Sequence, residues 1–253
     1  MIRDSLCLDH FYLGFDSSRI GQFKRLSKLL AHCKFSKVKS GKDAWSGVYL
    51  YAADGTYFEA IDSGKDGAKY SAGIAASAWQ VQYFDVRKIC EEEPRLPWES
   101  YVRRFGETRQ KWFTAIYLKD AFAGKKGVRP LSTWLMHYHP VHESDFPMRR
   151  TPFSIERFKS MKLTLGADHR ERAELMSLAL PGTTHFGKNK ALLTIPSKGG
   201  REFNVEINFI KGNELAQLVD LVADAGPAAN KVRAKLGGYG LEMDSKRVRL
   251  FKE

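Results

Sequence analysis

Residues 5–15, Ser-Leu-Cys-Leu-Asp-His-Phe-Tyr-Leu-Gly-Phe, are dense in aliphatic and aromatic side chains and predict a strand. Asp16-Ser17-Ser18 then predicts a helix cap. Ile20, Phe23, Leu26, Leu29, Leu30 and Cys33 follow at three- and four-residue steps, the stripe of an amphipathic helix with one buried face. Trp45 to Ala52 reads as a second strand, Ala53-Asp54-Gly55 as a tight turn, and Thr56 to Asp62 as the antiparallel return. The opening unit is therefore strand, helix, hairpin.

The next stretch predicts a strand over Ala78 to Phe84, a helix from near Asp85 to about Glu92 and a further helix over roughly 97–106. Strands at Trp112 to Leu118 and Leu131 to Tyr138 flank a Gly- and Lys-rich turn at 123–127. Pro140 to Pro152 carries three prolines among charges and reads as a linker. Beyond it the opening pattern returns. Phe158 to Leu165 is strand-like, Gly166-Ala167-Asp168 resembles a cap, and a helix follows up to Pro181-Gly182. Ala191 to Ile195 and Arg201 to Phe209 pair around Ser197-Lys198-Gly199-Gly200, and the tail predicts a helix from Glu214 to Ala225 and a hairpin around Asp244-Ser245-Lys246. The expected organisation is a first module with an insertion over 1–139, a linker at 140–152 and a second, divergent module over 153–253.

The halves align on short segments. Tyr12-Leu13-Gly14-Phe15-Asp16 lies against Thr164-Leu165-Gly166-Ala167-Asp168, and Phe58-Glu59-Ala60 against Val205-Glu206-Ile207, which sets His10 opposite Lys162. An internal duplication follows as the expectation. Strict alternation puts Leu8, His10 and Tyr12 on one face of the first strand, with Asp9, Phe11, Leu13 and Phe15 on the other. It likewise separates Phe203, Val205, Ile207 and Phe209 from Glu202, Asn204, Glu206 and Asn208. Each half thus has an apolar face for its helix and a more polar face. The polar faces either meet water, as antiparallel sheets commonly do, or line a shared cleft.

Composition adds limits. A chain of 253 residues that is 43% hydrophobic can bury a large core. No apolar run reaches the roughly 18 residues of a membrane helix, and the first residues lead into a strand rather than a signal-peptide core, so a cytoplasmic location is the default expectation. Cys7, Cys33 and Cys90 lack CxxC spacing and are expected to be reduced and structural. The net charge of +12 is spread over Lys24-Arg25, Lys34 to Lys42, Lys125-Lys126, Arg149-Arg150 and Lys246 to Lys252. With no tract of five and no nucleic-acid motif, this reads as a solvated basic surface rather than a nucleic-acid face.

Leu8-Asp9-His10-Phe11-Tyr12-Leu13, the strand-helix-hairpin order and Tyr57-Phe58-Glu59-Ala60-Ile61 resemble the glyoxalase-like members of the vicinal oxygen chelate superfamily. The likeness covers residues 5–85 and, more weakly, 155–210. It implies an α+β fold of two βαβββ modules whose mixed sheets curve around a cleft, with an inserted helical and strand segment at 86–150. It also implies a divalent metal (Mn, Fe, Ni, Zn or Mg) held by His10, Glu59 and Glu206, with Lys162 at the fourth ligand place.

A protonated lysine has no lone pair to give a metal. Three readings stay open: three protein ligands with open positions, Lys162 replacing the metal so that the site takes an anionic ligand, or residues that are only structural. With metal, the resemblance implies a lyase, isomerase or dioxygenase acting on a small oxygen-rich substrate, with Glu206 and Glu59 as catalytic carboxylates and Glu206 moving a proton beside a developing enolate. Without it, the same cleft would bind or sequester a small molecule. Tyr12, Tyr49, Tyr57 and Trp134 would stack on that ligand and Lys162 would pair with its negative group. His137 and His139, two apart on one strand face, are candidates for ligand or substrate contact. His32, His169 and His185 are expected at the surface, and Gly237-Gly238-Tyr239-Gly240 is expected to be a flexible turn.

GxxxxGK[ST], GxGxxG, GxSxG and HExxH are all absent, which removes nucleotide-loop, dinucleotide, hydrolase-elbow and zincin readings. The resemblance leaves room for a homodimer, since some of these proteins build their clefts across subunits.

Overall fold

The computed structural model describes residues 5–40, 43–64, 72–78, 88, 91, 96, 98–105, 110–118, 131–139 and 152–253. The expected strand from Ala78 to Phe84, most of the helix from Asp85 to Glu92, the turn at 123–127, Cys90 and nearly all of the linker lie outside the described residues.

The first half begins with β1 (Cys7–Phe15), α1 (Ser17–Phe23), α2 (Leu26–Leu29), β2 (Cys33–Ser40), β3 (Asp43–Tyr51) and β4 (Tyr57–Asp62). It continues with β5 (Ala72–Ser77), β6 (Trp98–Phe105), β7 (Gln110–Leu118) and β8 (Ser132–Tyr138). The second half runs β9 (Ile155–Gly166), a 3-10 turn (Ala167–His169), α3 (Arg170–Ala179), β10 (Thr183–Phe186), β11 (Lys190–Ser197) and β12 (Arg201–Ile210). It ends with β13 (Gln217–Ala225), β14 (Val232–Lys235), β15 (Tyr239–Met243) and β16 (Arg247–Lys252).

Each half is one eight-stranded mixed sheet, ordered β2-β3-β4-β1-β5-β8-β7-β6 and β10-β11-β12-β9-β13-β16-β15-β14. The two orders are the same, and each is mirrored about its central pair, so every half is itself two four-stranded units joined along β1·β5 or β9·β13. The expected α+β fold with a mixed sheet in each half is what forms. The stretch read as an insertion supplies β6, β7 and β8 of the first sheet.

The crossover sets strand direction. In the first unit the helices carry the chain across, and β4 returns parallel to β1. In the last unit only residues 226–231 separate β13 from β14, too few for a parallel crossover, and β16 pairs antiparallel with β13.

Two sequence expectations, for β13 and β1, fail for one reason. The predicted helix from Glu214 to Ala225 is strand β13, in which a register shift between Leu218 and Asp220 brings Leu218 and Leu221 onto the same buried face. Apolar residues three apart, which read as helical, are the mark of a bulge here. The predicted helix over 97–106 is strand β6, a separate case, since the extra residue in its pairing is Trp112 of β7. In β1 the shift falls between Leu8 and His10, so Leu8 joins Phe11 and Leu13 in the core while His10 and Tyr12 take the opposite face. The α1 cap is as expected, with Asp16 accepting from the Arg19 amide at 3.0 Å. The stripe, however, stops at Leu29, because His32 at φ 59 turns the chain into β2 and makes Cys33 a strand residue.

The sheets pack against each other through their apolar faces. Phe11 lies 5.3 Å from Phe58 in its own sheet and 5.1 and 4.8 Å from Phe158 and Phe203 in the other. The helices occupy the same middle layer: Phe23 of α1 meets Tyr239 of β15 at 5.6 Å, and α3 packs on β8. Backbone bonds Ala53 N–H to Ile155 O (3.0 Å) and Asp54 N–H to Glu156 O (3.2 Å) join the halves at one edge. Among the described residues the space between the halves is core, and the polar faces of both sheets turn outward.

Neither Cys7 nor Cys33 is in a disulfide, and burial pushes the Cys33 thiol up to about 12. Among the described residues no helix is long and apolar enough to cross a membrane.

Candidate functional site on the outer face of the first sheet

Strand register assembles this face. One row runs Tyr51, Tyr57, His10, Ala75, Trp134 and Tyr117 across β3, β4, β1, β5, β8 and β7. The next runs Tyr49, Glu59, Tyr12, Gly73 and Ser132. Small residues on β5 make room for the large ones beside them. A Cβ on Gly73 would stand 2.4 Å from the Tyr12 ring and 2.7 Å from the Trp134 ring. Gly73→Val is expected to displace both rings, costing about 1–3 kcal/mol in urea unfolding and shifting tryptophan emission. Parent-like stability together with unchanged emission would show that the rings are not locked there.

His10 lies at the centre. Its ring stacks on Tyr57 at 4.4 Å and 9° and meets Trp134 edge-on at 5.1 Å. Nδ1 is 2.5 Å from Oδ1 of Asp9, which also accepts from the Tyr138 hydroxyl at 3.1 Å. Burial pushes the Asp9 carboxyl up, but the hydrogen bond and charge of His10, together with Ser77 and Lys198 close by, outweigh it and hold the group below its ordinary range. An ionised carboxylate only accepts, so the His10 Nδ1 facing it carries a hydrogen. Asp9 is fully buried, and its Oδ2 has no hydrogen-bond partner among the described residues.

Glu59 differs. Burial, reinforced by the Asp9 charge and opposed by His10, pushes its carboxyl up to about 7. Tyr57 and Tyr138 are pushed well above the usual phenol value, first by burial and then by neighbouring acidic groups. All three side chains are half-buried, each keeping part of its surface accessible beside the rings of this face.

The expected site residues therefore divide. His10, Glu59, Tyr12, Tyr49, Tyr57 and Trp134 share the face. His137 and His139 do share a face of their own, stacked at 5.0 Å, but alternation along β8 turns them away from Trp134, and His139 bonds Thr114 Oγ1 at 2.8 Å. Glu206 and Lys162 belong to the other sheet. Glu206 points opposite to the core residues Val205 and Ile207, with one oxygen 2.9 Å from the Lys162 ammonium and the other 2.7 Å from that of Lys190. Those hydrogen bonds hold its carboxyl down at about 2. Two sheets and the aromatic layer separate it from His10.

The repeat alignment also slips by two. Register sets Tyr57, not Glu59, opposite His10, and sets Glu206 opposite Lys162. Asp9, Trp45, Tyr51, Tyr117 and Tyr138 were missed as contributors. An acidic residue next to a histidine inside an apolar strand was the available signal for Asp9.

The metal implied by the resemblance does not fit the described residues. No three His, Cys, Asp or Glu side chains among them could jointly hold an ion. Glu206 is taken up by two ammonium groups on the other sheet, and the His10 row continues through Ala75 and Trp134, which offer no ligand atoms. On the second sheet the outer face is a paired-charge surface: Arg249 grips Asp220 through Nε at 2.8 Å and Nη2 at 2.9 Å, and Arg157 lies 2.7 Å from Asp224. That polar face does what sheet faces exposed to water commonly do.

No protein-family model and no curated protein matches the chain. Among solved structures, a triple mutant of 4-hydroxymandelate synthase from Streptomyces coelicolor is similar over 82% of this chain and 64% of that chain, with 13% identity and a TM-score of 0.39. The chain thus spans less than two thirds of that synthase.

Proposed function

We propose that the outer face of the first sheet is a metal-independent binding site for a small ring-bearing organic molecule. The observation that supports this most directly is the set of half-buried polar groups, Tyr57, Glu59 and Tyr138, on the same face as the rings of Tyr12, Tyr49 and Trp134. Ligand sites commonly have this composition: aromatic walls with a few convergent polar groups that fix orientation.

Calorimetric titration with quinoline and 2-naphthol tests it. Saturable binding is expected in the parent, at least tenfold weaker in Tyr57→Ala, and unchanged in Lys162→Ala on the far sheet. Equal binding in Tyr57→Ala, or none in the parent, overturns the reading. Metal analysis of the purified protein is expected to find well under one equivalent of divalent ion. One equivalent of Mn, Fe, Ni or Zn, lost in His10→Ala, would restore the metal-dependent enzyme.

One observation favours a second reading, acid–base catalysis on the same face. An Asp-oriented imidazole and a carboxyl near neutrality are the pair that proton transfer beside a carbonyl needs. Here His10 and Glu59 would carry the proton and the rings would hold the substrate. Deuterium uptake from heavy water into α-hydroxy ketones, followed by proton NMR, should then occur with the parent and stop in Glu59→Gln. No uptake by any of them removes the enzyme reading and leaves the binding one.

A further inference from the structure

The central charges of this face are carboxylates. Asp9 is buried, ionised and holds an oxygen without a hydrogen-bond partner among the described residues. Glu59 lies one row away, between Tyr49 and Tyr12 in the sheet register. The cations near them are unequally placed. Lys198, from the β11–β12 turn, approaches Asp9 from the second half, with its ammonium against Gly55. At Glu59 the neighbouring groups with the largest electrostatic effect are His10 and Asp9. Lys162, the residue that would have called for an anionic ligand, is bound to Glu206 on the opposite sheet.

The rings supply the second half of the argument. The electron-rich faces of Tyr and Trp attract cations within about 6 Å of the centroid, and more strongly where water is excluded. At the edge of this face the protein shows such a contact in its own chain, with the Lys34 ammonium 5.2 Å from the Tyr51 centroid. Tyr51 continues into Tyr57 at 5.4 Å, and Tyr57 into His10 at 4.4 Å. An anion entering beside Glu59 would meet two carboxylates and the negative faces of the rings, with Lys34 at the edge of the face and Lys198 against Gly55 as flanking cations. A cation would meet complementary charge on both counts, and among the described residues no ammonium or guanidinium ion pair to Glu59 has to be displaced.

We propose that the ligand of this face is a small organic cation, an aromatic or alkyl ammonium, that stacks on the tyrosine and tryptophan rings and pairs its positive group with Glu59. This rests on the binding reading above and names its ligand class.

Three probes of one shape separate the two ideas: N-methylquinolinium, its neutral isostere 1-methylnaphthalene, and naphthalene-1-sulfonate. Each is titrated calorimetrically at pH 8 and low salt into the parent and E59Q. The quinolinium is expected to bind at least tenfold more tightly than the isostere in the parent, to lose that advantage in E59Q, and to leave the isostere's affinity unchanged between the two. Isostere or sulfonate binding as tightly as the quinolinium overturns the cation while keeping the site. Equal quinolinium binding in E59Q also overturns it, because Glu59 is then not the counter-charge. If none of the three binds, the site itself is lost.

Discussion

Phe11→Ala is expected to destabilise the whole protein by about 3–5 kcal/mol in urea unfolding, the range for emptying a fully buried phenylalanine site. The ring is completely buried and touches Phe58 in its own sheet and Phe158 and Phe203 in the other, so its loss opens a void in the layer that joins the halves. Because the contacts cross between halves, both sheets should lose stability together, and Phe11→Ala with Phe203→Ala should cost less than the sum of the two. Val102→Ala, at a position 40% exposed, should change stability by under about 0.5 kcal/mol. A Phe11→Ala loss below about 1 kcal/mol would mean that the sheets are not held together through this ring.

Glu59→Gln is expected to stabilise the protein in alkali and do nothing in acid. The folded-state carboxyl is raised to about 7 from a reference of 4.5, chiefly by burial. A raised carboxyl is held protonated by the fold, so its ionisation opposes folding. The cost is absent below about pH 4.5, grows as pH climbs through the interval, and is complete above about pH 7. Its size is on the order of 2–3 kcal/mol once the residual exposure of the side chain is allowed for. The glutamine variant should therefore melt several degrees above the parent at pH 8 and with it at pH 4.5. Glu206→Gln should behave with the opposite sign. Its carboxyl is depressed to about 2 by exposed lysines, so the variant loses stability above about pH 4.5, by under about 1 kcal/mol for surface pairs. A Glu59→Gln variant no more stable than the parent at pH 8 would show that the carboxyl is solvated.

Several strands inside the sheets were legible because their alternation is clean, while the edge strands β2, β6, β10 and β14 were not read as strands. β11 and β12 bury every second residue, β7 and β8 lie where aromatic and β-branched residues gather, and the β15–β16 hairpin follows its Asp244 turn. β10 and β14, four residues each, are too short to leave a period. The central strands β1 and β13 were misread in phase or in type, since each carries a bulge beside the sheet's midline. Bulges put side chains three apart on one face, and that spacing is indistinguishable from a helical turn until the partner strand is known. Reading β6 and β13 as helices hid the doubling of each sheet, whose second units include them.

By itself the sequence determined which residues are apolar enough to be buried, where α1 is capped, that the chain repeats, and that His10 and Glu59 belong to one unit with tyrosines around them. Those properties are local: they follow from side-chain chemistry and near-neighbour spacing. Which face of each sheet turns toward the other was decided only in three dimensions. Packing Phe11 and Phe58 against Phe158 and Phe203 removes the largest apolar surface from water, and that choice sends the two polar faces to opposite sides of the molecule. It separates Glu206 from His10, pairs it with Lys162 and Lys190, and leaves a face of rings and two carboxylates on the first sheet alone.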